Sequence, residues 1–115
     1  MAGRVARGDV FLGRLDPVVG TEQGGTRPAV VVQADRLNAT SPHTVVVPFT
    51  SKIKRALLPS HAVVPAGAGG LTQDSVALCE QVRVLDGSTL VKHLGHLDAP
   101  YLDEIATALR RTLDL

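Results

Sequence analysis

The residue types best suited to chemistry fall in two short stretches. The first is Glu22-Gln23-Gly24-Gly25-Thr26-Arg27-Pro28. Arg27 carries a planar, permanently charged fork that matches the oxygens of a phosphate. Pro28 fixes φ directly after it, while Gly24 and Gly25 allow backbone motion and close approach of a ligand. Glu22 can orient the guanidinium or act as a base. Read alone, the stretch is equally a surface loop in which Glu22 and Arg27 form a weak ion pair. The second stretch is Pro48-Phe49-Thr50-Ser51-Lys52-Ile53-Lys54-Arg55. Here an apolar run exits into hydroxyls and cations. Thr50 and Ser51 can bond a phosphate oxygen or a ribose hydroxyl, and Lys52, Lys54 and Arg55 are the densest positive cluster in the chain. A solvated loop whose hydroxyls cap a turn explains the same residues.

Other constellations are weaker. His61, in Leu58-Pro59-Ser60-His61, either faces the same side as Lys54 or is structural. Gln81 beside Glu80 interrupts an apolar run, so it can project from the mouth of a barrel. His93-Leu94-Gly95-His96-Leu97-Asp98 offers two imidazoles and a carboxylate, but Gly95 breaks the helical spacing and no further ligand cluster exists. No metal site is expected there. Gly67-Ala68-Gly69-Gly70 lacks the Lys-Ser/Thr of a phosphate loop and reads as a turn. No Gly-x-Ser-x-Gly elbow supports a hydrolase triad, and Cys79, inside an apolar run, reads as inert core.

The elements that must position these residues are short. Apolar β-branched runs at residues 10–12, 29–32, 45–47, 62–64 and 76–85 are bounded by Gly, Pro, Asn or Asp, which predicts five or so strands. Consecutive valines point to strands covered on both faces or passing through a closed barrel. Pro28 and Pro48 should sit at strand ends or bulges. Residues 86–95 read as a short helix with Asp86 or Ser88 as cap and Gly95 as stop. A longer helix starts near Asp98, tolerates Pro100 in its first turn, and carries Leu102, Ile105, Ala106, Leu109 and Leu113 on one stripe. No strand–helix alternation is present. The expected architecture is mainly β with α: a small, strongly bent barrel closed by a helix.

The chain has 115 residues, 44% of them hydrophobic and 3% aromatic, with a net charge of +1. That size buries a core without disulfides or structural metal. The single cysteine excludes an intramolecular disulfide and fits a reducing compartment. No apolar run approaches the ~20 residues of a membrane span, and the N-terminus lacks a signal-like apolar region. The expectation is a soluble, cytoplasmic single domain over residues 7–115, preceded by a mobile leader at 1–6. The near-neutral charge argues against an extended duplex binder. It leaves room for a small site drawing on Arg27, Lys52, Lys54 and Arg55.

Taken in order, Arg7-Gly8-Asp9-Val10, Leu15 with the following loop through Glu22-Gln23-Gly24-Gly25-Thr26-Arg27-Pro28, Pro48-Phe49-Thr50-Ser51, Leu58-Pro59-Ser60-His61, Asp74-Ser75-Val76-Ala77-Leu78-Cys79-Glu80-Gln81-Val82-Arg83 and Leu94-Gly95-His96-Leu97-Asp98 resemble the MazF/PemK family of toxin ribonucleases. The resemblance implies an SH3-like β-barrel of the CcdB/MazF type, with a short helix and a C-terminal helix. It also implies a homodimer that cleaves single-stranded mRNA at a short sequence, without metal or other cofactor, leaving 2′,3′-cyclic phosphate and 5′-OH ends. Arg27 and Thr50 match the family's catalytic arginine and threonine, and Glu22 a supporting acid. Ser51 and Gln81 match positions near the RNA path, and Gly24, Gly25, Pro28, Lys52, Lys54, Arg55 and His61 complete the expected substrate-binding set. Phe11 stands where many relatives have Trp or Tyr. The implied partner is an antitoxin with an acidic, disordered C-terminal segment that folds on binding and fills the RNA groove.

This chemistry suits the residues. The substrate's own 2′-OH attacks the adjacent phosphorus, so DNA should survive. Arg27 suits the developing charge but is a poor base, which leaves Glu22 or a coupled proton transfer. The alternative on the same barrel is a CcdB-like toxin that binds DNA gyrase without catalysis. Such a binder has no chemical need for the loop at residues 22–28 together with Thr50.

Overall fold

Neighbouring residues along the apolar strands are buried in two different clusters, because successive side chains of a strand point to opposite faces. Val10, Val30 and Val47 enter one cluster with Phe49, Ile105 and Ala108. Phe11, Ala29, Val31 and Val46 enter the other with Leu85 and Leu90. The valine runs therefore mark strands covered on both faces. A computed structural model describes residues 4–16, 20, 24–52 and 57–115. Glu22, Lys54 and Arg55 lie outside the described residues.

The chain runs through β1 (Asp9–Arg14), β2 (Thr26–Val31), α1 (Asp35–Asn38), β3 (His43–Thr50), β4 (His61–Val64), β5 (Ser75–Leu78), β6 (Arg83–Asp86), β7 (Leu90–His96) and α2 (Ala99–Leu113). All strand pairings are antiparallel, in the order β4-β5-β3-β2-β1-β7, with β6 also on β3. The sheet is barrel-like without a β4–β7 ladder. Instead the turn at Ala68–Gly70 lies against β7. A Cβ on Gly95 would stand 2.6 Å from the Gly69 carbonyl carbon, and one on Gly70 would overlap the Leu94 carbonyl oxygen. Only glycines permit two backbones to meet so closely.

β3 is the hub. It pairs β6 over residues 43–46, β2 over 46–48 and β5 over 49–50. Pro48, which has no N–H to offer, falls between the β6 and β5 pairings, inside the strand rather than at its end. Pro28 is likewise inside its strand, paired with Leu12 of β1 one residue before the β2–β3 ladder begins at Ala29. That change of partner on β3 also explains why residues 76–85 are not one strand. A 3-10 turn at Cys79–Gln81 carries the chain from β5, beside the end of β3, to β6 beside its start.

The short helix expected at residues 86–95 is not formed. Asp86 does cap, accepting from Ser88 N–H at 2.9 Å, but it caps a 3-10 turn at Gly87–Thr89. The chain then continues as β7 on β1, satisfying backbone groups that would otherwise form an open edge. The pairing has two irregularities, at Val10/Phe11 and Leu12/Gly13, which leave Leu94 and Val91 without partners in the register. These bulges disturb the two-residue alternation and bring Leu90, Leu94 and Leu97 to a helix-like spacing. The short helix that does form is α1. α2 follows the expectation: Asp98 precedes it, Pro100 lies in its first turn, and Arg110 and Arg111 lie in its last. Its buried line centres on Ile105 and Ala108, and Leu113 at its end is exposed. No described helix is long and apolar enough to cross a membrane. Of the expected mobile leader, Val5 packs against the Phe11 cluster and Ala6 N–H donates to Asp9 Oδ2 at 2.8 Å.

Candidate active site at the end of the β2–β3 ladder

Arg27 is the second residue of β2, paired with Gly13 of β1. It precedes the first β2–β3 pair, Ala29 with Pro48. Arg27 and Thr50 each lie two residues beyond that pair, where β3 has turned to β5 and Thr50 pairs with Val76. Where the ladder stops, a cavity of about 220 Å³ is lined by Arg27, Pro28, Phe49, Ser51, Leu71, Thr72, Gln73 and Ser75. Two strand ends and the segment that leads into β5 therefore bring the expected Arg27, Pro28 and Ser51 together. Among the described residues the lining holds one cation and no carboxylate, which favours an anion.

The glycines fix the arginine. Arg27 Nε donates to Gly24 O at 2.7 Å, which sets the plane of the half-buried guanidinium. Gly25 adopts φ +71°, a conformation that L residues rarely take, and a Cβ there would meet nothing within 4 Å. Its carbonyl accepts from Leu15 N–H at 2.8 Å, closing the root of the loop. Gly25 is thus required by its backbone angle and Gly24 by what its carbonyl holds.

Thr50 is buried at the end of β3, and its Oγ1 accepts from Lys52 N–H at 3.2 Å. This is the turn-capping role weighed for it, and it leaves the hydroxyl proton able to donate. Lys52 and Ser51 are exposed.

His61 stands elsewhere. It lines a second cavity, of about 420 Å³, with Ala62, Val63 and residues Asp103, Glu104, Thr107 and Arg111 of α2. Its Nδ1 accepts from Leu58 N–H at 3.2 Å, which leaves Nε2 as the donor toward Glu80 Oε2 at 3.1 Å. Ser60 Oγ donates to the other Glu80 oxygen at 3.0 Å. Gln81, in the 3-10 turn, is half-buried and lines neither cavity. Cys79 is fully buried against α2, and burial together with the Glu80 charge pushes its thiol up to about 12. Among the described residues no group of three or more His, Cys, Asp or Glu is arranged to hold a metal ion. Sequence reasoning missed Thr72, Gln73 and Ser75 in the cavity wall. Their only signal was a polar run next to a strand.

Residues 6–113 match the model of the PemK-like, MazF-like toxin of type II toxin-antitoxin systems. The chain is 43% identical to endoribonuclease EndoA of Bacillus subtilis over 111 residues, 96% of each protein. MazF from Deinococcus radiodurans superposes with a TM-score of 0.83 at 28% identity, covering 98% of this chain and 99% of that one. A MazE–MazF structure from the same organism gives 0.77 at 28% identity, with 98% of each chain covered.

Proposed function

The chain belongs to the PemK-like, MazF-like toxin family of type II toxin–antitoxin systems, and from that premise we propose that it is a sequence-specific endoribonuclease acting on single-stranded mRNA. The observation that carries this reading is the Arg27 cavity: a guanidinium oriented by a backbone carbonyl, beside Ser51, in a wall that holds no carboxylate among the described residues.

In the proposed reaction the substrate's 2′-oxygen attacks the adjacent phosphorus. The O2′–P bond forms, the P–O5′ bond breaks, the 2′-OH proton leaves to a base, and a proton reaches the departing 5′-oxygen. The products are a 2′,3′-cyclic phosphate and a 5′-OH, with no metal required. Arg27 stabilises the charge that grows on the non-bridging oxygens, where one preorganised donor contributes about 3–4 kcal/mol. Thr50 holds a non-bridging oxygen or the 2′-OH through its hydroxyl proton, and Ser51 and Lys52 steer the strand. Glu22 supplies the base or orients Arg27, and Lys54 and Arg55 add positive charge. Pro28 forms part of the wall, Gly24 and Gly25 hold Arg27 in it, and His61 and Gln81 contact RNA away from the scissile phosphate. The working form is a cytoplasmic homodimer, silenced by an antitoxin whose acidic C-terminal segment fills the same groove.

The test is incubation of purified, antitoxin-free protein with labelled RNA in EDTA. Discrete cleavage is expected. Intact RNA, together with inhibition of DNA supercoiling, would replace this reading with a gyrase-binding toxin.

A further inference from the structure

One side chain ties the loop root that holds Arg27 to a distant strand, and we propose that Arg83 is a positioning residue for the Arg27 guanidinium. Half-buried Arg83 of β6 donates from NH1 to Leu15 O at 2.9 Å. Leu15 is fully buried, and its N–H donates to Gly25 O at 2.8 Å. Gly24 O, one residue earlier, receives Arg27 Nε at 2.7 Å. Three hydrogen bonds thus run from β6 through the last residue before the loop to the arginine after it. Gly25, at φ +71°, fixes the relative direction of the two carbonyls.

Arg83 does not line the Arg27 cavity, and its register partner on β3 is Val46. Its influence therefore passes through Leu15 and Gly25 and not through contact with RNA. A charged donor on a carbonyl makes a stronger bond than a neutral one. Buried Leu15 cannot turn to water for a replacement partner. A shift of the loop root would rotate Gly24 O and carry the guanidinium off the position where charge develops.

The kinetic part of this inference rests on the endoribonuclease reading, so the test has a second readout in the free protein. In Arg83→Met the Arg27 Nε–H, followed by NMR of 15N-arginine-labelled protein, should lose its protection from solvent exchange. On labelled RNA, kcat should fall about tenfold to a hundredfold with KM nearly unchanged, as expected for a misplacement of about 1 Å. Arg83→Lys, which keeps a charged donor, should restore part of both. In an Arg27→Ala background Arg83→Met should add nothing, because the two residues act as one unit. An unchanged Arg27 Nε–H in Arg83→Met, or a further loss of rate in the Arg27→Ala background, overturns the proposal. If Arg83→Met does not fold, the same comparisons are made with Arg83→Gln, which removes the charge and shortens the side chain. Absence of RNA cleavage by the wild-type protein defeats the function reading, while the exchange measurement still decides the positioning.

Discussion

Arg27 and the Asp9–His93–His96 cluster sit near opposite ends of β1, and they use charge in opposite ways. Arg27 pairs with Gly13 at one end, and His96 pairs with Asp9 at the other. Asp9 Oδ1 faces His96 Nδ1 at 3.0 Å and His93 Nε2 at 3.4 Å, while Oδ2 takes Ala6 N–H. Burial acts to raise the Asp9 pKa, but the hydrogen bonds from His96, Ala6 and His93 outweigh it and hold the carboxyl below its ordinary value. Its charge is consumed within the fold. Arg27 is instead fixed by an uncharged carbonyl, and among the described residues no carboxylate pairs with it, so its orientation is set while its charge faces the cavity. A charge with a neutral orienting partner marks the candidate site, while the richer cluster of titratable groups is a cross-strand tie.

Substitutions at the two ends of β1 should have different effects. Arg27→Ala should lower RNA cleavage by about a hundredfold to a thousandfold, with circular dichroism and elution volume unchanged. Retained turnover would remove Arg27 from the mechanism. Two glycines separate fold from site next. Gly70→Ala drives a Cβ into the Leu94 carbonyl, and urea unfolding should show a loss of about 1–3 kcal/mol or more. Gly25→Ala meets only open space, so its cost should be the left-handed φ alone, about 1–2 kcal/mol, accompanied by slower cleavage.

The other end of β1 should respond to acid instead. Because the Asp9 pKa is lowered in the folded state, its stabilisation is present above the ordinary carboxylate range. It is lost as pH falls through the folded value, below 3.8. Asp9→Asn should therefore lower the thermal midpoint at pH 7, flatten its acid-side dependence, and leave RNA cleavage within about twofold of wild type. Smallest of all, Cys79 with its thiol near 12 should resist alkylation at neutral pH until the protein unfolds, as a mass-shift assay would read.

The site was legible where its determinants are local. Gly25, Arg27 and Pro28 fall within four residues, and a positive-φ residue shortly before a fixed-φ residue is written in the residue types. The valine runs announced strands buried on both faces for the same reason. What escaped depends on distant partners. The two bulges of β7 imitated helical spacing, and the switch of β3 from β6 to β5 split one apolar run into two strands. His61 shares its surroundings with α2 because β4 is followed 35 residues later by that helix, a proximity no local pattern contains. Arg83 reaches Leu15 across 68 residues, a contact that no local pattern contains either.

The most direct measurement compares wild-type protein and Arg27→Ala on one RNA, prepared either all-ribo or with a single 2′-deoxy nucleotide at the cleaved position. Fragments formed in EDTA are weighed by mass spectrometry. The expected result is a 2′,3′-cyclic phosphate from the all-ribo strand with wild-type protein, and intact RNA in both other pairings: Arg27→Ala with the all-ribo strand, and wild type with the deoxy strand. Cleavage of the deoxy strand at that position, or unimpaired cleavage by Arg27→Ala, would contradict the assignment of the Arg27 cavity as the site where the 2′-OH attacks.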